Sequence, residues 1–141
     1  MKLLKIVNAH MALGVLAKMP LPAPTAYAVY KLKRPLEADV QFFRSEEIKI
    51  ANKYGAKTKN GTLDIRGGRL MMTGETEAER EANLAAYTDE RGRLCALEPC
   101  ETAEKRAMPV ITIPADVKLA PEIFEALEGF AVLEVEDAER A

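Results

Sequence analysis

The longest regular pattern in the sequence is an apolar stripe that recurs every seven residues between Thr25 and Tyr54. Its principal members are Val29, Leu36, Phe43 and Ile50, with Leu32 and Val40 beside them. Apolar residues at this spacing share one face of an α-helix, so the stripe predicts one long amphipathic helix. Pro35 lies inside it and has no backbone N–H, which predicts a kink or a break near Lys31–Arg34.

The stripe is long enough for two kinds of packing. The helix packs against the rest of its own chain, or two copies of the chain associate through it as a homo-oligomer. The heptad spacing does not choose between them. Gly55 follows the stripe and predicts a helix end in the left-handed conformation, which glycine adopts without strain.

Two turns follow the long helix, at Asn60-Gly61 and Gly67-Gly68. Both central residues of a type I′ hairpin turn need positive φ, so each pair predicts a tight turn. The segments on either side of the second turn, Thr62–Arg66 and Arg69–Thr73, have the length of strands and predict a two-stranded ribbon. We therefore expect residues 56–75 to form a hairpin inserted into the domain and projecting from it.

A capping box marks the start of the next helix. Thr76 and Glu79 have the Thr-x-x-Glu spacing at which each side chain can bond a free backbone N–H. The sequence thus predicts a helix from Glu77 to about Leu97. Its expected buried face comprises Leu84, Tyr87, Leu94 and Cys95.

The N-terminal segment Lys2–Val7 is short and apolar and predicts a strand, after which Asn8 is placed to cap a helix from Ala9 to about Lys18. Lysines before this apolar run, and the small residues of Ala26–Ala28, imitate features of a secretory leader. Asn8 and His10 interrupt the run, and a strand followed by a helix explains it. We therefore expect a cytoplasmic protein.

Two further strands are predicted near the C-terminus, at Val110–Ile113 and Ala131–Val135, with a short helix between them that Pro121 opens and Gly129 closes. The elements together predict a single α+β domain. Two long helices and a shorter one pack on a small, largely antiparallel sheet made from the N-terminal strand, the hairpin and the C-terminal strands. Residues 130–141 are expected to be partly frayed.

The composition argues against several functions. Twenty Lys and Arg stand against 22 Asp and Glu, and the formal charge of −2 does not favour general nucleic-acid or anionic-lipid binding. Cys95, Cys100 and His10 are the only cysteines and the only histidine, which is too few for a four-ligand zinc site. No stretch approaches the roughly 18 uninterrupted apolar residues of a membrane span.

The glycine-rich segment Lys59–Glu77 invites comparison with phosphate-binding loops. Its glycine spacing is one residue too long for a Walker loop, and Glu75 stands where the lysine is needed. A Gly-Gly pair inside a hairpin also lacks the spacing of a dinucleotide fingerprint. Arg66 and Arg69 flank the Gly-Gly turn, however, and are candidates to hold a phosphate or carboxylate with their forked donors.

The sequence offers no arrangement typical of catalysis. The sole histidine, His10, lies in an apolar segment, and a thiol on the apolar side of a helix, as expected for Cys95, is usually inert. The acidic residues are numerous, and their distribution indicates exposed surfaces. We therefore expect no catalytic residues, no metal ligands, no cofactor and no enzymatic activity.

A basic cluster on the long helix is the second candidate for recognition. It comprises Lys31, Lys33 and Arg34, with Tyr27 and Tyr30 nearby. Aromatic rings beside cations can stack on and neutralise a nucleotide or another anionic partner. The alternative is an ordinary solvated surface in front of the break at Pro35.

Several short motifs, in this order, resemble an uncharacterised family of small phage and prophage proteins. That family shows a "KLP" step before a "YKL" helix, a helix ending in "KYG" before an Asn-Gly loop, and an "IP" strand before an "ALE" helix. The matching residues here are Met19–Pro22, Tyr30–Leu32, Lys53–Gly55, Asn60–Gly61, Ile113–Pro114 and Ala126–Glu128. The resemblance spans most of the chain, contains no catalytic residue, and implies expression in the cytoplasm of a bacterial host. This chain departs from the family in having a longer hairpin and a longer stretch from Cys95 to Met108.

Three functions are compatible with these observations. The first is a phage-encoded, non-enzymatic protein that binds a bacterial host protein and inhibits antiviral defence. The second is an oligomeric sponge that sequesters an anionic small molecule such as a nucleotide signal. The third is a role in virion assembly.

Overall fold

The computed structural model describes residues 2–98 and 109–136 and confirms the α+β class. The helices are α1 (Leu3–Ala17), α2 (Ala23–Lys33), α3 (Glu37–Tyr54), α4 (Glu77–Cys95) and α5 (Pro121–Leu127). The strands are β1 (Ile65–Arg66), β2 (Arg69–Leu70), β3 (Val110–Ile113) and β4 (Val132–Val135). Contacts divide the chain into two compact units, unit 1 with Met1–Val40 and Glu98–Ala141 and unit 2 with Gln41–Leu97. A single domain stays a prediction.

The predicted N-terminal strand is wrong, because Lys2–Val7 enters helix α1 directly. The buried residues of α1 keep helical spacing from its first turn onward. They are Leu3, Ile6, Val7, Ala9, Ala12, Leu13 and Leu16. Asn8 therefore lies inside the helix and not at its start, so it is not an N-cap. Its side chain is exposed, while buried apolar residues precede and follow it on the core face of the helix.

Unit 1 is built around the buried face of α1, which packs against α2 and α5. The core also takes in Ile111 and Ile113 of β3 and Leu127 of α5, all of them at most 1% exposed. The Thr25 hydroxyl donates to the carbonyl oxygen of Thr112 at 3.1 Å and so ties the start of α2 to β3. The core of unit 1 therefore joins residues from both ends of the chain.

The break at Pro35 is confirmed. A 3-10 turn, Arg34–Leu36, separates α2 from α3 because proline cannot donate the backbone bond that a continuous α-helix needs. Val29, Leu36, Val40 and Phe43 of the heptad stripe are buried, and Ile50 is half-buried. These residues of the stripe are thus covered, at least in part, within the chain, while a homo-oligomer through the long helix stays a prediction.

The single, largely antiparallel sheet is wrong. The structure has two separate two-stranded sheets in its described residues, an antiparallel β1–β2 pair and a parallel β3–β4 pair. Helix α5 connects β3 to β4 and returns the chain to the same end, which makes the two strands parallel. The predicted strands near the C-terminus are confirmed, as is the short helix that Pro121 opens.

The hairpin region of unit 2 is a small antiparallel arrangement of three segments. The backbone of Ala56 donates to Met71 at 2.7 Å and accepts from Asp64 at 2.8 Å. The predicted Gly67-Gly68 turn is confirmed, since the two φ angles are 57° and 77° and only two residues join β1 to β2.

The first turn differs from its prediction. Gly61 has φ 80°, but Asn60 does not have positive φ, so a type I′ turn at Asn60-Gly61 is wrong. The N–H of Gly61 instead bonds the carbonyl of Thr58 at 3.0 Å, and the N–H of Thr58 bonds the carbonyl of Thr62 at 2.8 Å. This is the longer hairpin loop in which a single glycine takes the left-handed position.

Gly55 is required for space and not for a left-handed helix end. Its φ is not positive, which corrects the prediction. A Cβ at this position would lie 2.5 Å from the backbone oxygen of Ala51 and 3.0 Å from the side chains of Leu63 and Leu70. Only glycine allows the end of α3 to lie this close to the hairpin.

The capping box of α4 is confirmed. The Thr76 hydroxyl accepts from the N–H of Glu79 at 3.1 Å, and the Glu79 carboxylate accepts from the N–H of Glu75 at 2.9 Å. The predicted buried face is correct at Leu94 and wrong at Leu84, which is 50% exposed. The first half of α4 is held by hydrogen bonds to the preceding loop, such as Asn83 to the Thr73 carbonyl at 2.7 Å.

The predictions for the longer stretch around Cys100 and for the last five residues lie outside the described residues. Within the described parts of the chain, no helix combines the length and the apolar character needed to cross a membrane.

Candidate functional site

Two tyrosines of α2 form the centre of the strongest candidate site. Tyr27 and Tyr30 lie one helical turn apart, and their ring centroids are 6.4 Å apart with an interplanar angle of 22°. The rings are stacked yet remain 60% and 51% exposed. Exposed aromatic residues that touch each other cost little entropy to bury, which is typical of contact residues at interfaces.

A cation lies over each of these rings. The Nζ atom of Lys31 is 5.4 Å from the centroid of Tyr27, and the Cζ atom of Arg34 is 6.0 Å from the centroid of Tyr30. Arg34 Nη1 also donates to the Tyr30 hydroxyl at 2.8 Å. Both pairs are four residues apart, the spacing that brings helical side chains together. We call Tyr27, Tyr30, Lys31 and Arg34 the tyrosine–cation surface.

No described acidic residue pairs with the cations of this surface. Among residues 2–98 and 109–136, no carboxylate lies within 4.0 Å of the charged groups of Lys31, Lys33 or Arg34. Lys33 is half-buried and makes none of the ring contacts. The structure therefore brings together Tyr30, Lys31 and Arg34 of the predicted cluster, adds Tyr27, and leaves Lys33 beside them.

The hairpin arginines also face each other as the sequence predicts, because Arg66 and Arg69 are directly paired across β1 and β2. Their environments differ, however. Arg66 already uses its fork on Asp64, with Nε at 3.3 Å and Nη2 at 3.2 Å from the two carboxylate oxygens. Arg69 makes no ion pair with any described residue. A ligand that used both arginines would have to displace Asp64, so this pair is the weaker anion site.

A polar cluster in unit 2 joins the end of α3 to α4. Tyr54 Oη donates to Glu90 Oε1 at 2.6 Å, and Lys53 Nζ donates to the same oxygen at 2.9 Å. These bonds, with that of Tyr54 first, lower the pKa of Glu90 from its usual 4.5. The bond to Glu90 in turn raises the pKa of Lys53 from its usual 10.5. No pattern in the sequence predicts this cluster, because Glu90 lies 36 residues after Tyr54 along the chain.

Unit 2 also has a shallow groove of about 280 Å³ that no pattern in the sequence predicts. It is lined by Phe42, Glu46, Ile50, Glu90, Arg93, Leu94 and Leu97. Its wall is mainly apolar, with charged groups at the margin, and it is open to solvent. Arg91 and Glu47 form a second ionic link between the same two helices at 3.2 Å.

Nothing in the described residues resembles a metal centre, since no group of three or more His, Cys, Asp or Glu could hold a metal ion there. His10 is half-buried in α1, and Cys95 is a half-buried free thiol at the end of α4.

Comparison with known proteins identifies no relative of this chain. No family model matches the chain, and no curated protein or solved structure is significantly similar to it. The resemblance to small phage proteins therefore stays a prediction.

Proposed function

We propose that this chain is a phage- or prophage-encoded binding protein that engages an acidic surface of a bacterial host protein through the tyrosine–cation surface. The single observation that supports the proposal is the pair of exposed, stacked tyrosines with a cation over each ring and no described carboxylate pairing with those cations. The phage origin, the host partner and an inhibitory role in antiviral defence rest on the resemblance in sequence.

The geometry suits a protein partner for three physical reasons. Tyrosine and arginine are the side chains most often found to dominate binding energy at protein interfaces. Arg34 is also held in place by the Tyr30 hydroxyl, so less side-chain freedom is lost when it meets a carboxylate. The positive charges of Lys31 and Arg34 attract an acidic partner, and this attraction accelerates association and improves specificity.

A capture experiment with charge-reversed variants tests this proposal. Bait proteins would be the wild type, Lys31→Glu with Arg34→Glu, and a matched control, Lys57→Glu with Lys59→Glu, which makes the same charge change on the exposed hairpin. We expect the wild type and the control to capture the same bacterial protein and the first variant to lose it. A zero-length cross-link from Lys31 to an Asp or Glu of the partner would locate the contact. Equal capture by all three baits would contradict the proposal.

Sequestration of a nucleotide-type signal is the second candidate, because the exposed ring of Tyr27 offers a face on which a base can stack beside a cation. Calorimetry against a panel of cyclic and adenine nucleotides would test it, and Tyr27→Ala should abolish any heat of binding. Absence of binding by every nucleotide would remove this candidate. Capture of a phage structural protein would instead favour the virion-assembly alternative.

A further inference from the structure

Among the residues that the structure describes, the β3–β4 sheet of unit 1 has one occupied edge, along β3, and one open edge, along β4. The N–H of Val132 bonds the carbonyl of Pro109 at 2.9 Å, and the N–H of Glu136 bonds the carbonyl of Ile113 at 2.8 Å. Alternation along a parallel ladder therefore directs the backbone groups of Leu133 and Val135 away from β3. No hydrogen bond from a described residue reaches those groups.

The opposite edge of the sheet is occupied. The outward carbonyl of Thr112 in β3 accepts from the Thr25 hydroxyl, and α2 packs against β3. Two-stranded parallel sheets are rare as free-standing structures, since parallel strands are normally flanked and covered. Here Val135 is 55% exposed and Val132 41% exposed. The open edge of β4 therefore has both the backbone groups and the apolar side chains that an added strand would use.

The charges on β4 indicate what kind of strand fits. Glu134 and Glu136 are two residues apart and so project from the same face of the sheet, and both are exposed. Two copies of β4 paired antiparallel through Leu133 and Val135 would place Glu134 directly opposite its own copy, and like charges in that position are destabilising. A basic strand would instead place positive charge opposite both carboxylates.

We propose that the open edge of β4 binds an extended segment of another protein in which basic and apolar side chains alternate. The segment adds a third strand to the β3–β4 sheet. Its backbone bonds Leu133 and Val135, its basic side chains lie opposite Glu134 and Glu136, and its apolar side chains extend the Leu133 face. The surface is distinct from the tyrosine–cation surface and prefers the opposite charge in its partner.

Fluorescence anisotropy with labelled synthetic peptides tests this inference on the full chain. The probes would be a short peptide that alternates valine and lysine, a matched peptide that alternates valine and glutamate, and the lysine peptide N-methylated along one edge. Because each lost backbone bond or ion contact weakens binding severalfold, we expect the lysine peptide to bind at least about tenfold more tightly than either control. Equal binding of the N-methylated peptide would overturn strand addition.

Two variants of Val135 separate backbone pairing from surface charge. Val135→Pro removes the outward N–H and leaves every bond to β3 in place, whereas Val135→Thr keeps that N–H. We expect about tenfold weaker peptide binding by the proline variant than by the threonine variant. In the wild type, amide hydrogen exchange at Leu133 and Val135 should slow when the lysine peptide is added. Unchanged exchange, or equal affinity of the two variants, would contradict the inference.

Sedimentation of the wild type without peptide completes the test. We expect no self-association through β4, because of the opposed glutamates. A dimer that Val135→Pro dissociates and Val135→Thr does not would show that a second copy, and not a basic segment of another protein, is the occupant.

Discussion

Each of the two units is stabilised internally by a different kind of interaction. Unit 1 has a core of buried side chains from α1, α2, β3 and α5, many of them fully inaccessible. Of the buried hydrophobic residues that the structure describes, just Phe43, Met72 and Leu94 belong to unit 2. Unit 2 relies instead on glycine turns, a helix cap and hydrogen bonds between charged side chains.

This difference has a physical consequence for stability. Burial of apolar area is nearly independent of pH and tolerates changes at the surface, whereas close backbone contacts and ion pairs depend on single atoms and on protonation. We therefore expect unit 1 to be sensitive to lost volume in its core, and unit 2 to be sensitive to added volume at glycine, to lost caps and to acid.

The largest expected effect is a core truncation in unit 1. Leu13 is fully buried in α1, so Leu13→Ala removes its packing and leaves a cavity that costs about 2–5 kcal/mol of unfolding free energy. Met11→Ala is the matched control on the same helix, since Met11 is 58% exposed and should change stability by at most about 0.5 kcal/mol. Urea denaturation measures both. Similar losses for the two variants would show that unit 1 does not depend on its buried core, and the proposed difference between the units would be wrong.

The next effect concerns the close backbone contact at Gly55 in unit 2. Gly55→Ala would force a Cβ to within 2.5 Å of the Ala51 oxygen, and we expect a loss of about 1–3 kcal/mol from the displaced backbone. Gly92→Ala in α4 is the matched control, because a Cβ there meets nothing within 4 Å. That variant should instead stabilise the protein by about 0.5–1 kcal/mol. Thermal or urea unfolding that gives both variants the same sign would contradict the spatial role of Gly55.

A smaller effect is expected at the N-cap of α4. Thr76→Ala removes the acceptor for the Glu79 N–H and should cost about 1 kcal/mol. Thr88→Ala, at an exposed position within the same helix, removes the same atoms without removing a cap. Urea denaturation should separate the two variants. If Thr88→Ala were as costly as Thr76→Ala, the hydroxyl of Thr76 would have no special role.

The sequence predicted those parts of the fold that depend on neighbours along the chain. The break at Pro35, the Gly67-Gly68 turn and the Thr76 cap all follow from local backbone chemistry, and all three are confirmed. The strand predicted over Lys2–Val7 failed because a short apolar run fits a strand and a buried helix equally well. Gly55 was assigned a common role of glycine at helix ends, whereas its role is spatial: a Cβ there would meet the Ala51 oxygen, and also Leu63 and Leu70 from later in the chain.

The candidate site shows the same division. The tyrosine–cation surface could be anticipated, because its members span eight residues of α2 and the turn that follows it, where helical spacing determines which side chains meet. The hydrogen bonds between Arg66 and Asp64 could not be predicted from their spacing in the sequence, because they depend on which side-chain rotamers the hairpin allows. The Tyr54–Glu90 bond and the open edge of β4 depend on tertiary contacts, for which a single sequence carries no periodic signal.

The smallest expected effect is the pH dependence of the Lys53–Tyr54–Glu90 cluster. The folded-state pKa of Glu90 is lowered, chiefly by the Tyr54 hydroxyl, so its contribution is fully present above the usual value of 4.5 and is lost as the pH falls through the lower folded value. The pKa of Lys53 is raised, so its contribution is present below 10.5 and is lost as the pH rises through the higher folded value. The Lys53 side chain is 61% exposed and that of Glu90 is 33% exposed, so water screens the pair and the change should be smaller than that of Thr76→Ala.

Glu90→Gln sharpens this measurement, because glutamine keeps an acceptor for Tyr54 but loses the charge and cannot be protonated at acidic pH. We expect the variant to be less stable than the wild type at neutral pH, and the difference in unfolding free energy to shrink as the pH falls from the usual value of 4.5 through the lower folded-state pKa of Glu90. Glu125→Gln, an exposed position on α5 of unit 1, serves as the matched control and should follow the wild type throughout. A wild type and a Glu90→Gln variant with parallel pH profiles would show that the ionised Glu90 carboxylate does not stabilise unit 2, and the acid sensitivity expected of this unit would then have no support at this cluster.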